Sequence, residues 1–325
     1  GALVGSVGWR GIFWVNIPVG LAALVLTALF VPESKAPHPR RVDAVGQLLV
    51  IVTLASLTYA IIEGPDAGWT SARILGCFAL SLAAAAGLLA YEPRRREPLI
   101  DLRFFRSAPF SGATVIAVSA FASLGGFLFL NTLYLQEVRG YSALHAGLYT
   151  LPMAVMTVIF APLSGRVVGA RGPRLPLIVA GIAMTAAGLM LTGLTATTST
   201  TWLIVTYLVY GLGFGAVNAP ITNTAVSGMP RSQAGVAAAI ASTSRQVGQA
   251  LGVAVMGSAV ISAMTGPVSS GFAAASQVGW WIVAGCGAMV LGVGLLTSGR
   301  WARQTAARTA ERLAPPSPKV PAAAP

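Results

Sequence analysis

The chain has 325 residues, 55% of them hydrophobic and only 9% charged, with 21 Lys and Arg against 9 Asp and Glu for a formal net charge of +12. Soluble domains carry roughly 25% charged residues, so a water-facing surface over most of this chain is excluded. The basic excess does not point to nucleic acid either. Its Lys and Arg residues fall mostly in short loops between apolar runs, with no aromatic interleaving and no soluble basic domain.

Nearly charge-free apolar runs of about 18 or more residues are what a bilayer demands of helices. Nine such runs follow one another, at residues 12–31, 46–63, 74–91, 110–135, 144–164, 175–195, 202–222, 235–264 and 278–298. They do not alternate, and they are about twice as long as the roughly 10-residue strands of a membrane β-barrel. The expected fold class is therefore an all-α polytopic membrane protein. The 37 glycines and 20 prolines fit it, because neighbouring helices satisfy backbone groups that a kink sets free. Ahead of the first span, Gly1 to Gly5 reads as the tail of a helix that began earlier, with no signal peptide before it. Behind the last span, residues 301–325 are expected to form a disordered tail, Pro/Ala-rich and without periodicity from Ala314 to Pro325.

Charge sets the orientation. One set of loops and the C-terminal stretch hold Lys35, Arg40, Arg41, Arg94, Arg95, Arg96, Arg103, Arg106, Arg166, Arg171, Arg174, Arg231, Arg245, Arg300, Arg303, Arg308, Arg312 and Lys319, while the other set holds Arg10, Arg73 and Arg139. The rich side is expected to be cytoplasmic, with the C-terminus on it. Trp9, Trp14, Trp69, Trp202, Trp280 and Trp301 cluster near span ends, as interfacial aromatics do. Cys77 and Cys286 lie far apart within apolar runs and read as small buried hydrophobes.

Polar residues inside the spans carry what functional signal there is, because ionisable groups are expensive there. Glu63 closes its span beside Gly64 and Pro65 and either reaches the interface or handles protons; Glu137 and His145, flanking the loop 135–146, stand in the same position. Ser242, Arg245, Gln246 and Gln249 recur at i, i+3, i+4 and i+7 and share one helix face. That stripe faces either a watery cavity or, where the helix leaves the membrane, the head groups to which Arg245 snorkels. Asn218 and Asn223, with Tyr207 and Tyr210 on the same helix, and Asn131, Tyr134 and Gln136 on another, serve as glue between helices or as handles for a ligand. Gly211 with Gly215 and Gly248 with Gly252 form GxxxG spacings that let backbones approach, and Pro152, Pro162 and Pro220 loosen their helices. No pair of carboxylates lies inside the spans, and there is no HExxH and no metal-ligand spacing, so neither an enzyme nor a metal site is expected. The run Gly211, Gly213, Gly215 has no strand before it and no Lys after it, and is packing rather than a nucleotide loop.

The segment Trp9-Arg10-Gly11-Ile12-Phe13-Trp14-Val15-Asn16-Ile17-Pro18-Val19-Gly20 resembles the W-R-x-I-F-x-x-N-x-P-x-G signature of the fourteen-helix drug:proton antiporters of the major facilitator superfamily. Further matches follow in order: Asp43 with Gly46, Glu63-Gly64, Gly68-Trp69, Tyr134-Leu135-Gln136, Gly140-Tyr141-Ser142, Ala146-Gly147, Leu151-Pro152, Ala234-Gly235-Val236-Ala237, Arg245-Gln246-Val247-Gly248 and Leu251-Gly252. The resemblance covers roughly residues 1–300 and implies a division into four parts. Residues 1–31 would end an N-terminal bundle (helix 5 tail and helix 6), 32–107 would hold a central helix pair with its loops, 108–300 a complete C-terminal six-helix bundle, and 301–325 a cytoplasmic tail. Five earlier helices would be absent from this sequence.

The resemblance further implies proton-coupled export of amphipathic, often cationic, drug-like or antibiotic-like compounds across a bacterial-type cytoplasmic membrane, by alternating access around a midplane site. The proton gradient is the energy source and no cofactor is implied. The partners are the bilayer, the substrate and protons, with the oligomeric state open. A cavity lined by Asn131, Tyr134, Gln136, Tyr207, Tyr210, Asn218, Asn223, Ser242, Arg245, Gln246 and Gln249 is the expected site. The family's coupling acids belong largely to the earlier helices, and the loop 165–174 departs from the G-x-x-x-D-R-x-G-R pattern at Gly169 and Ala170. A non-transporting sensor or assembly protein, or an inactive fragment, is the alternative.

Overall fold

The computed structural model describes residues 2–32, 43–95, 98–227, 229 and 231–313. Lys35, Arg40, Arg41, Arg96, Lys319 and the stretch 314–325 lie outside the described residues. Regular structure among the described residues is entirely helical. Nine of these helices are long and apolar enough to cross a membrane.

A short helix α1 (Ala2–Val7) breaks at Gly8, whose φ of +79° suits a residue without Cβ, and α2 (Arg10–Phe30) follows. Of α2 only Gly11 is buried; a helix apolar on all sides and bare of protein is one that lipid or other helices must cover. Helix α3 (Ala44–Ala67) opens on Asp43, whose carboxylate accepts the Gly46 N–H at 3.0 Å. It folds back onto α4 (Ala72–Tyr91) through a turn in which Gly68 takes φ +82° and Ser71 caps the Ile74 N–H. Trp69 covers Gly64 so closely that a Cβ there would come within 2.5 Å of its ring. Two 3-10 turns, Glu92–Arg94 and Leu102–Arg106, lead to the next span.

Six helices then form one bundle: α5 (Ala108–Leu133, continued by a π-helical turn Tyr134–Val138), α6 (Ala143–Arg171), α7 (Arg174–Leu191), α8 (Thr200–Val226), α9 (Arg231–Ala263) and α10 (Val268–Thr297). The closest pairings are α5 with α9, α6 with α8 and α7 with α10, and α5 also touches α8 and α10, which puts it at the centre. Lipid tails give no hydrophobic drive between helices, so fit decides these pairings. The glycines supply it. Gly211 faces the Met153 carbonyl of α6, Gly215 comes under Thr157, and Gly248 and Gly252 on α9 lie against the backbone of Val118 and Ala122 on α5. Thr157 and Ser164 add hydrogen bonds across α6 and α8, to the carbonyls of Gly211 at 3.2 Å and Ala216 at 2.6 Å. Pro152 and Pro162 sit inside the unbroken α6, and Pro220 inside α8.

The nine long helices fall on the nine apolar runs, with differences at their ends. Helix α6 continues to Arg171, through most of the segment expected as a loop at 165–174, and stops only where Gly172 takes φ +82°. Helix α10 begins at Val268, ten residues before the apolar run, because the mostly small and polar residues Ser269 to Gln277 are no obstacle to a helix that buries Phe272 and packs on α9 and α5. Residues 301–313, expected to belong to a disordered tail, instead form with Arg300 an amphipathic helix α11 (Arg300–Leu313) that buries Ala302, Ala306, Thr309 and Leu313 and exposes its arginines. The Thr305 hydroxyl accepts the Ala108 N–H at 3.0 Å, capping α5 from another element where Ser107 makes no side-chain cap. Small residues at helical spacing hide such a helix from a search for apolar runs.

Candidate functional site

An aromatic column runs through the bundle between α5, α8 and α10. Phe127 stacks on Tyr210 with centroids 4.1 Å apart and meets Tyr207 and Trp280 edge-on, both at 5.8 Å. Tyr210 is parallel to Phe214 one turn on, at 6.5 Å, and Phe214 meets Phe121 edge-on at 5.2 Å. Polar groups are threaded into the column. The Tyr207 hydroxyl donates to the Asn131 side-chain oxygen, Ser123 and Tyr210 share a 2.9 Å hydrogen bond, and Trp280 Nε1 donates to Ser276 at 3.2 Å. Tyr134, Tyr207, Tyr210 and Trp280 have no exposed surface and Asn131 almost none. In this conformation they hold helices together and line no open cavity.

Arg245 stands at the other end of the column. Its guanidinium lies 5.7 Å from the centroid of Phe121, and its Nη2 donates to Thr222 Oγ1 at 2.5 Å and to the Asn218 carbonyl at 3.5 Å, while its Nε is buried without a partner. The side chain thus bridges α5, α8 and α9 and is half-buried. Asn218 turns its amide back onto the Phe214 carbonyl at 2.8 Å. Gln249 is also half-buried, whereas Ser242, Gln246 and Asn223 are exposed. The structure therefore joins Arg245 to the α8 residues next to Asn218 and to the aromatic column, and leaves Asn223 outside. An apolar cavity of about 370 Å³ lies nearby between α3, α4, α5 and α9, lined by Thr53, Leu88, Thr114, Ser244 and Val247 among others; none of the expected site residues lines it.

At the end of the bundle away from most of the arginines, a clamp forms that the sequence does not advertise. Arg139 donates to the Tyr134 hydroxyl at 3.2 Å, the Thr198 carbonyl at 2.6 Å and the Tyr141 hydroxyl at 3.1 Å, and Tyr134 donates to the Thr195 carbonyl at 2.7 Å. Tyr141 stacks on Tyr149 of α6 at 4.9 Å. Burial works against the Arg139 charge, but the hydrogen bonds with Tyr134 and Tyr141 outweigh it and hold its pKa above the usual arginine value. Hydrogen bonding with Tyr149, and then with Arg139, draws Tyr141 below the usual phenol value despite some burial. The clamp ties the end of α5 to the start of α6 and to the loop between α7 and α8. Tyr134 and Tyr141 stand out in the sequence through their motif matches, but nothing there links them to Arg139, one of three arginines on the Arg-poor side.

The acids expected as proton-handling candidates lie apart from the column. Glu63 pairs with Arg73 across the α3–α4 turn at 3.7 Å with both side chains well exposed, an arrangement worth little in water. Glu137 is exposed on the π-helical turn, Gln136 beside it is half-buried, and His145 is exposed with Nδ1 3.4 Å from the Ser142 hydroxyl. Cys77 and Cys286 are unpaired and partly buried. Among the described residues no group of His, Cys, Asp and Glu could hold a metal ion.

Nine apolar helices among the described residues, six of them closed around a buried aromatic and polar interior, define a multi-pass helical membrane protein. The chain belongs to the Major Facilitator Superfamily, a family of membrane transporters, whose model matches residues 1–253. Among its relatives, a multidrug resistance protein Stp of Mycobacterium tuberculosis is 38% identical over 258 residues, covering 79% of this chain and 48% of the relative. A tetracenomycin C resistance and export protein of Streptomyces glaucescens is 38% identical over 262 residues, with the same coverage of 79% and 48%. A quinolone resistance protein NorB of Staphylococcus aureus is 31% identical over 294 residues, covering 88% of this chain and 62% of the relative. The chain spans about half the length of the first two.

Proposed function

We propose that the chain forms part of a proton-coupled secondary transporter of the fourteen-helix drug:proton antiporter type, which exports small amphipathic compounds by alternating access across a bacterial cytoplasmic membrane. Its arginine-rich end, with α11, faces the cytoplasm. The observation that carries the reading is Arg245, a half-buried cation in a membrane helix that stands on an aromatic column and spans three helices of the bundle. Such a group is costly in lipid and marks a substrate or ion path. Drug-resistance and export names among relatives that differ in the compound named support a site of broad chemistry.

The column offers ring faces, and Arg245, Gln246 and Gln249 offer donors to the oxygens of a drug-like molecule. A mostly apolar wall with a few polar handles is what binds such ligands. Substrate reaches the column when the α5, α8 and α10 contacts part, since the groups are sealed in the conformation described. The proton gradient supplies the energy, and no bound cofactor is needed.

Cells that carry the gene in its natural reading frame should expel ethidium faster than cells with an empty vector, and a protonophore should abolish the difference. Equal dye retention in the two strains would point instead to a non-transporting member of the fold.

A further inference from the structure

The structure brings together two carboxylates that lie just outside the helices they flank. Asp43 precedes α3 and Glu92 follows α4; they are 4% and 1% exposed. Asp43 Oδ1 accepts the Gly46 N–H at 3.0 Å and the Tyr91 hydroxyl at 3.3 Å, whereas Asp43 Oδ2 and both Glu92 oxygens are buried without a side-chain hydrogen-bond partner among the described residues. The backbone N–H groups of Leu99 and Ile100 face Glu92. The two side chains converge on one glycine. A Cβ on Gly46 would stand 2.7 Å from Asp43 Oδ2 and 2.9 Å from Glu92 Oε1, so no more than the sum of those distances separates the two free oxygens.

Two ionised carboxylates cannot share so dry a place without a positive charge, and like charges this close force a proton onto one of them. None of the described cations nearby bonds to either free carboxylate. Arg95 acts on Glu92 through its charge alone, being exposed and lying over the Tyr91 ring at 5.5 Å; Arg94 donates to the Ala90 carbonyl, and Arg103 is paired with Asp101 at 2.7 Å. On α9, which packs against α3, Arg245 is bonded to Thr222.

We propose that Asp43 and Glu92 form a proton-binding site that holds one proton between them at neutral pH and thereby latches the end of α4 to the start of α3. Water supplies the proton. An O–H bond forms on one carboxyl and donates to the free oxygen of the other, and loss of the proton to water leaves two negative charges that push the helix ends apart. The site stands whether or not the bundle moves a substrate. Unfolded carboxyls ionise near pH 4, so a pair that keeps its proton above that range contributes stability in full below it. That contribution is lost as pH rises through the titration of the folded pair.

The test uses the whole protein in lipid nanodiscs. Infrared spectra at neutral pH should show the C=O stretch of a protonated carboxyl, and that band should disappear in both Glu92→Gln and Asp43→Asn. Wild-type thermal stability should fall as pH is raised from neutral into the alkaline range, and Glu92→Gln, whose amide replaces the shared proton as donor, should flatten that fall. Absence of the band in the wild type, a requirement that does not depend on any variant folding, overturns the proposal. So does a band that survives in both variants, or a neutral-pH stability that climbs with added sodium or potassium, which would make the occupant a metal cation.

Discussion

Replacing Gly252 by leucine is expected to force α9 off α5 and to leave little folded protein in the membrane. The two helices meet backbone to backbone. Gly248 and Gly252 lie against Val118 and Ala122, and Gly125 on α5 lies against the Gln249 carbonyl. At Gly252 an added Cβ would run into the Ala122 carbonyl, which cannot swing aside as the tip of a side chain can. Overpacking of this kind costs about 1–3 kcal/mol and occasionally more, against a total folding free energy of about 5–15 kcal/mol. No hydrophobic drive restores the contact in lipid. Gly147 serves as the control, because nothing lies within 4 Å of a Cβ placed on it. In size-exclusion profiles and thermal midpoints of the detergent-solubilised protein, Gly252→Leu should lose the monodisperse peak or melt several degrees lower, while Gly147→Leu should match wild type. Equal behaviour of the two variants would show that α5 and α9 do not meet as described.

Arg245→Ala is expected to reduce transport strongly while leaving the protein inserted and folded. The side chain makes one short hydrogen bond to Thr222, a longer one to the Asn218 carbonyl, and a ring contact with Phe121. Hydrogen bonds to charged groups contribute about 1.5–3 kcal/mol, which corresponds to a change of roughly ten- to a hundredfold in a rate or binding constant if the interaction is made in the transport step. Lys keeps the charge but not the planar guanidinium that lies by the Phe121 ring while its Nη2 reaches α8, so Arg245→Lys should recover only part of the loss. Initial rates of dye efflux, normalised to the amount of protein in the membrane, are the readout. Wild-type rates in Arg245→Ala would reduce the residue to a snorkelling cation with no part in the cavity.

The long helices were legible because bilayer thickness sets a minimum length on any apolar run that crosses it. Helix ends were not, since they follow from local geometry: Gly172 stops α6 through its φ of +82°, seven residues beyond the end of the apolar run at 164. Helix α11 leaves little trace in the sequence because its buried face is made of Ala302, Ala306, Thr309 and a single large apolar residue, Leu313. The polar residues stood out in the sequence as expensive groups in apolar runs, but their partners did not. Spacing along one helix cannot show that Tyr207 reaches Asn131, or that Phe121 lies under Arg245, because both contacts depend on how α5, α8 and α9 are arranged. Asp43, which stands out only through its motif match with Gly46, and Glu92 do not read as a pair in the sequence for a related reason. Each stands at the end of a span where a lone acid is ordinary, and only the antiparallel return of α4 along α3 makes them a pair.

Proton-coupled export is the central claim, and purified protein in sealed liposomes tests it most directly. With a pH-sensitive dye trapped inside and a weakly buffered lumen, addition of ethidium outside should shift the lumenal pH, and collapse of the proton gradient should stop ethidium accumulation. Ethidium movement that is the same with and without the gradient, with no change in lumenal pH, would contradict the account.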